Sequence, residues 1–267
     1  MKFNRNILRE YLSQAPISLA LERSLEGEIF TTLQFERPIL DIGCGEGLFA
    51  KIVFAEKIET GIDPNSKELD RAKTLDAYEE LICCGGDAIS KPDQSYQTVF
   101  SNSVLEHIKD LEPVFRETLR LLKPGGHFYI TVPSQYFERY TIVASLLDLF
   151  GLNRLSLKYR EFFNQFWVHH HAYALEDWEK LCEGYGFEVV KSFTYNTQAS
   201  CLLNDALVPA SLPSLALKKL INRWALFPLL RKTILFPIAR TFKRLASHDA
   251  ATINGGLVFI ELRKPNL

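Results

Sequence analysis

Several things are missing from this 267-residue chain, and each absence narrows the reading. The five cysteines, Cys44, Cys83, Cys84, Cys182 and Cys201, are odd in number, and none forms a C-x-x-C pair. A disulfide framework and a zinc site are therefore not expected, and reduced thiols in a cytoplasmic protein are. No uncharged apolar run approaches the roughly 18 residues of a transmembrane helix. The start, "MKFNRNILREYLSQ", carries charge throughout and has no apolar core of the secretory-signal kind. Charge of one sign is also missing: the formal net charge is −1, which offers no global argument for nucleic acid. Nor is the composition that of a disordered chain, since 47% is hydrophobic and 24% charged.

The apolar pattern divides the sequence. Residues 5–34 have helical spacing, as in Ile7, Leu8, Tyr11 and Leu12. From Ile39, short apolar runs at 38–42, 58–63, 80–84, 96–101 and 126–132 alternate with amphipathic segments at 47–56, 65–77 and 110–122. Such alternation predicts parallel strands joined by helical crossovers, an open α/β sheet with both faces covered. Pro124 and Gly125-Gly126 punctuate the end of the third of these helices. A helix at 175–184, a strand at 186–195 and a last strand at 252–263 complete the pattern. Two stretches interrupt it, 135–170 and 199–249. The first is aromatic and apolar. Within the second, 206–247 holds eight Lys or Arg and no Asp or Glu, leaving −9 on the remainder. It also holds an echo, "LFPLLR" at 226–231 and "LFPIAR" at 235–240, and Pro228 and Pro237 are expected to break it into short helical pieces.

The stretch "PILDIGCGEGLFA" places three glycines within five positions directly after the first strand. Glycine there lets backbone approach a ligand closely, and the following helix N-terminus offers N–H groups to an anion. Ligands of open α/β sheets bind at the carboxyl ends of strands. Asp41, Gly43, Gly45 and Gly47 are thus expected to line a site for a small anionic or zwitterionic molecule. The spacing G-x-G-x-G departs from the dinucleotide pattern G-x-G-x-x-G and argues against an NAD-type oxidoreductase. Asp63, followed by Pro64, ends the second strand, where an acid accepts both hydroxyls of a ribose; it also stands where a helix N-cap would. Asp87 follows the third strand, at an adenine edge or in an ordinary Gly-Asp turn. Ser101, Asn102 and Ser103 end the fourth.

With these stretches in order, the sequence resembles the class I S-adenosylmethionine-dependent methyltransferases, in their small-molecule, type 11-like branch. The signatures are "LDIGCGEG" (40–47), "VLEHI" (104–108) and "LKPGG" (122–126), supported by "ALEDWEKLCEGYGFEVV" (174–190). The likeness covers roughly 36–195 plus the last strand. It implies a doubly wound, Rossmann-like sheet of seven strands with the last antiparallel. It implies S-adenosyl-L-methionine as cofactor: Gly43, Cys44, Gly45 and Gly47 at the amino-acid end with Asp41 near the ammonium, Asp63 and Pro64 at the ribose, Asp87 and Ala88 flanking the adenine, and Asn102 and Ser103 beside the reacting methyl. It leaves open a non-catalytic module that keeps the fold.

His107 is the titratable group at this mouth that would deprotonate a hydroxyl acceptor; the competing reading has it begin the next helix. In "WVHHHAY" (167–173) no Asp, Glu or Cys at ligand spacing joins the three histidines, so no metal is expected there, and they read as structural or substrate-contacting. The expected acceptor is small or lipid-like, with a hydroxyl oxygen preferred. The 135–170 stretch is expected as a cap over it, its apolar residues forming either the pocket lining or the cap's own core. The 206–247 segment suits peripheral contact with an anionic membrane, or pairing with the chain's own acids. Its interleaving with aliphatics, and the lack of an RNA-binding module, argue against nucleic acid as partner.

Overall fold

A computed structural model describes residues 1–221, 224–246 and 251–266. Two helices, α1 (Ile7–Gln14) and α2 (Ile17–Phe30), precede the sheet. Then follow β1 (Ile39–Ile42), α3 (Leu48–Val53), β2 (Ile58–Ile62), α4 (Ser66–Leu75), β3 (Tyr78–Ile82), β4 (Tyr96–Asn102), α5 (Glu112–Leu121) and β5 (Leu122–Pro133). After α6 (Ile142–Leu149) and α7 (Asn153–Trp167) come α8 (Leu175–Gly184), β6 (Glu188–Tyr195), α9 (Gln198–Ile221), α10 (Pro228–Ala246) and β7 (Leu257–Arg263).

The seven strands lie in the order β3-β2-β1-β4-β5-β7-β6, with β7 antiparallel to both neighbours. Period-2 alternation sends successive side chains to opposite faces. Ile39, Phe100, Tyr129 and Phe259 join the core under α1 to α4, while Leu40, Val99, Phe128 and Ile260 join the core under α5 and α8. Phe30, Phe35, Phe54 and Phe100 form a ring-to-ring cluster with centroids 5.0–5.9 Å apart, which anchors α2 to β4. The strand order reverses between β1 and β4, so a crevice opens at their carboxyl ends.

Three local expectations need correction. Helix α5 stops at Leu121, before Pro124, because Leu122 already pairs with Tyr96 as the start of β5. Pro228 and Pro237 do not fragment the basic segment: Pro228 opens α10, a position where its missing N–H costs nothing, and Pro237 lies inside. Packing on α1 and α2 supports the two long helices against their internal prolines. Over Gln198–Leu220, α9 is long and apolar enough to cross a membrane by length and composition, with 22% of the window buried. The absence of uncharged runs did not reveal this, because scattered Asp205, Lys218 and Lys219 interrupt it.

Candidate active site

The glycine turn is built by positive φ. Gly43, Gly45 and Gly47 have φ of 77°, 51° and 75°, which other residues reach only with strain. Gly43 is fixed by packing, since a Cβ there would stand 2.4 Å from Val104 Cγ1. At Gly47 a Cβ would crowd Tyr78 and Ala72 at 3.0 and 3.2 Å. Gly45 differs: a Cβ would meet nothing within 4 Å among the described residues and would stand in open space. Gly43 and Cys44 donate their N–H groups to Ile62 O at 2.9 and 2.8 Å, tying the turn to β2. Helix α3 has only six residues, so its terminal dipole adds little, and the close backbone of the turn is what remains to hold a ligand.

Asp63 reaches this turn. Its Oδ2 accepts from Gly45 N at 3.0 Å and its Oδ1 from Asn65 N at 2.8 Å. The N-cap of α4 is Asn65, whose side chain accepts from Lys67 N, so Asp63 does not cap the helix. Its oxygens keep lone pairs for further donors, as a ribose diol would supply. Pro64 is exposed beside it, and Asp87 and Ala88 are exposed beyond β3. The Asp87 side chain makes no hydrogen bond among the described residues and folds over Gly85.

Asp41 lies beneath the turn, 3% exposed, and accepts from Tyr78 Oη at 2.6 Å. Burial pushes its carboxyl up to about 7. It is thus a buried partner of Tyr78 as well as a neighbour of the crevice.

Asn102 and Ser103 are brought to the mouth but are held in a buried network that the sequence did not reveal. Glu26, fully buried on α2, accepts from Asn102 Nδ2 at 2.9 Å, Ser103 Oγ at 3.1 Å and Arg23 at 2.6 Å. Arg23 also donates to Ser103 Oγ at 2.5 Å. The signal was faint: two opposite charges three apart inside an apolar helical repeat. Tyr11 of α1 is fully buried within electrostatic reach of Arg23, Glu26, Glu46 and Asp41, and its hydroxyl has no hydrogen-bond partner among the described residues.

Glu46 completes the turn and was also missed. It pairs with Arg71 of α4 and Lys218 of α9, and it accepts from Trp224 Nε1 at 2.8 Å. Lys232 of α10 pairs with Glu10 at 3.1 Å. Part of the basic segment is therefore spent on the chain's own acids, one of them within the glycine turn.

Across the mouth, the turn after β4 carries Glu106 and His107. Glu106 is 3% exposed, its Oε2 has no partner among the described residues, and burial pushes its pKa up to about 8. His107 is half-buried, and its Nδ1 lies 3.2 Å from Val168 O. A carbonyl only accepts, so the proton sits on Nδ1 and leaves the Nε2 lone pair free. Burial lowers its pKa below the ordinary imidazole value. The His169 ring lies tilted against it, centroids 5.2 Å apart, and burial and His107 bring its pKa down to about 4. His170 N donates to Glu106 O at 2.7 Å, and His171 Nε2 meets Ile108 O at 2.9 Å, so the histidine run clips onto this turn. The expectation that no carboxylate joins these histidines fails: ligand atoms of Glu106, His107 and His169 lie within 4.8 Å of one another. Sixty residues of sequence separate what the fold brings together.

Several apolar residues of the 135–170 stretch lie outside any core: Leu149, Phe150, Phe162, Phe166 and Trp167 are 76%, 72%, 60%, 64% and 46% exposed. Phe137 and Phe163 do turn inward, to 5.8 and 6.2 Å from the His169 ring.

The crevice suits an S-adenosyl nucleoside. Gly45 leaves open space where a Cβ would stand, Asp63 reaches the turn from the second strand's end, and the buried Tyr11 hydroxyl has no partner among the described residues. Comparisons with known proteins agree. A model of the methyltransferase domain matches residues 9–192. The ubiquinone biosynthesis O-methyltransferase of Vibrio atlanticus is 30% identical over 115 residues, 40% of this chain and 47% of that protein. The sterol 24-C-methyltransferase of Aspergillus fumigatus is 34% identical over 98 residues, 34% of this chain and 26% of that protein. The chain thus matches less than half the length of these relatives. Among solved structures, a Thermotoga maritima S-adenosylmethionine-dependent methyltransferase is 16% identical with a TM-score of 0.56, covering 93% of this chain and 91% of that one. The Haemonchus contortus phosphoethanolamine N-methyltransferase 2, solved with S-adenosylhomocysteine, is 21% identical with a TM-score of 0.51, covering 94% and 54%. These two likenesses speak for the fold. With the family match spanning most of the sequence, the chain belongs to the methyltransferase-domain family.

Proposed function

We propose that the enzyme methylates a hydroxyl oxygen of a small or lipid-like acceptor, with His107 as the general base. One observation carries this reading: the Val168 carbonyl holds the proton on His107 Nδ1, which leaves Nε2, 3.8 Å from Glu106 Oε1, as the basic nitrogen. A sulfonium is already an activated donor, so alignment and removal of one proton are what the protein must add. His107 has a depressed pKa and is neutral at pH 7, ready to accept that proton. Glu106, whose pKa is raised to about 8, is protonated at that pH and can donate to the acceptor. Val104 links this turn to the cofactor cradle through its contact at Gly43. Exposed apolar residues on α6, α7 and α10 support a lipid-like acceptor met at a membrane surface on the cytoplasmic side.

A second reading has support in the same cluster. Two imidazoles and a carboxylate within 4.8 Å, with Glu106 Oε2 and His169 Nδ1 unpartnered among the described residues, suit a divalent cation that would polarise the hydroxyl.

The test replaces His107 by Ala and measures turnover and S-adenosylhomocysteine affinity together, with and without a chelator. Turnover is expected to fall by about 10²–10⁴-fold with cofactor affinity unchanged. Unchanged turnover would remove the base assignment. Loss of wild-type turnover on chelation, restored by added metal, would favour the cation reading.

A further inference from the structure

We infer that a basic cleft on the outer side of α1 and α2 binds a phosphate-bearing molecule with an apolar portion. The cleft has a volume of about 800 Å³, within the range of small-molecule sites. Among the described residues, Arg5, Arg9, Lys191, Arg240 and Arg244 line it, with Glu28 as the one carboxylate. None of the five cations forms an ion pair among the described residues. Its floor is apolar, with the buried Ile7 and Ile29. Two cations lie against aromatic rings: Arg9 is 5.8 Å from the centre of Phe236, and Lys191 is 5.4 Å from that of Phe193.

This is not the methyl-transfer site. Neither the glycine turn nor Asp63, Asn102, Ser103 or His107 lines the cleft. Helix α2 separates the two, presenting Leu25, Glu28, Ile29 and Thr32 to the cleft, while Arg23 and Glu26 meet Ser103. The repeated "LFP" sequence acquires a purpose here. Its second copy supplies Phe236 and Arg240 to the cleft, while its first leaves Phe227, Leu229 and Leu230 exposed, with Arg231 bonded to Trp224 O.

The chemistry follows from the charges. Five cations around one cavity repel one another, and an anion among them relieves that repulsion. Several guanidinium groups favour phosphate, whose oxygens accept paired N–H donors. The apolar floor and the two rings favour a ligand whose phosphate carries hydrocarbon, either a membrane lipid headgroup or a soluble phosphate ester.

Two probes separate these sources. Inorganic pyrophosphate is titrated calorimetrically, and vesicles of phosphatidylcholine with phosphatidylglycerol are co-sedimented, both at low salt and against Arg240→Glu/Arg244→Glu. Unchanged S-adenosylhomocysteine binding and melting certify the variant; if it fails to fold, Arg9→Gln/Arg240→Gln replaces it. The wild-type protein is expected to bind at least one probe, at least about tenfold more tightly than the variant, and less tightly as salt rises. Pyrophosphate binding points to a soluble phosphate, and vesicle binding alone points to a lipid headgroup. Binding of neither probe, or equal binding by wild type and variant, overturns the inference.

Discussion

Replacing Gly45 by Ala separates the cost of backbone strain from the loss of ligand space. At φ of 51° the residue sits in the left-handed region, where a Cβ costs roughly 1–2 kcal/mol. No neighbour lies within 4 Å of that Cβ, so no steric term adds to it. For a chain of this length the melting temperature should fall by roughly 2–8 °C, leaving the protein folded. The ligand loses more. A Cβ extends about 1.5 Å from the turn and carbon atoms need about 3.5 Å of separation, so a nucleoside held against Gly45 would have to shift away. A loss of about 30-fold or more in affinity, near 2 kcal/mol, is expected. Titration calorimetry with S-adenosylhomocysteine measures it, beside a melting curve. Gly184→Ala at the end of α8 serves as control, since its Cβ also meets nothing and lies far in sequence from the turn. If Gly45→Ala binds S-adenosylhomocysteine within about threefold of the wild-type protein while folded, the cradle does not hold the nucleoside.

Other outcomes can be checked alongside. Tyr11→Phe removes a buried hydroxyl without a partner, so melting should hold or rise, while S-adenosylhomocysteine affinity falls by about 1 kcal/mol. Asp41 and Glu106 are buried carboxyls whose pKa values rise on folding, to about 7 and about 8. The folded state then binds the extra protons, so their stabilising contribution is full below the unfolded pKa near 4 and is lost as pH rises through 7–8. The stability of the ligand-free protein should fall between pH 5 and 8.5 by on the order of 5–7 kcal/mol from these two groups, and Asp41→Asn should flatten the slope. A flat wild-type profile would refute this. Lys218→Ala leaves Glu46 with Arg71 and Trp224 but loosens α9 from the glycine turn, so limited proteolysis should cut 198–246 sooner. Unaltered cleavage would show that this pair does not hold the segment.

The sheet was legible because parallel strands buried on both faces read as short apolar runs, and the helices between them keep a 3.6-residue stripe. The glycine turn and Asp63 were legible because each sits at a strand end, where local sequence fixes position. The Glu26–Arg23–Ser103 network was not, since it joins α2 to β4 across 77 residues. Nor was the meeting of His107 with His169, which depends on how the 135–170 stretch folds back over the turn. The basic segment misled in one respect. A charge count cannot distinguish Lys218, which pairs with Glu46, from Arg240, which faces a cleft. Helix-breaking rules also overstated Pro237, because packing against α1 outweighs one lost hydrogen bond.

The most direct measurement follows the methyl group itself. The enzyme is incubated with donor labelled at the methyl carbon and with lipid and phenolic extracts, and the labelled product is isolated and its bonding read by carbon NMR. The account expects the label on an oxygen, as a new methyl ether or ester, and expects His107→Ala to abolish it. Label found on nitrogen or carbon, at a rate indifferent to His107, would contradict it.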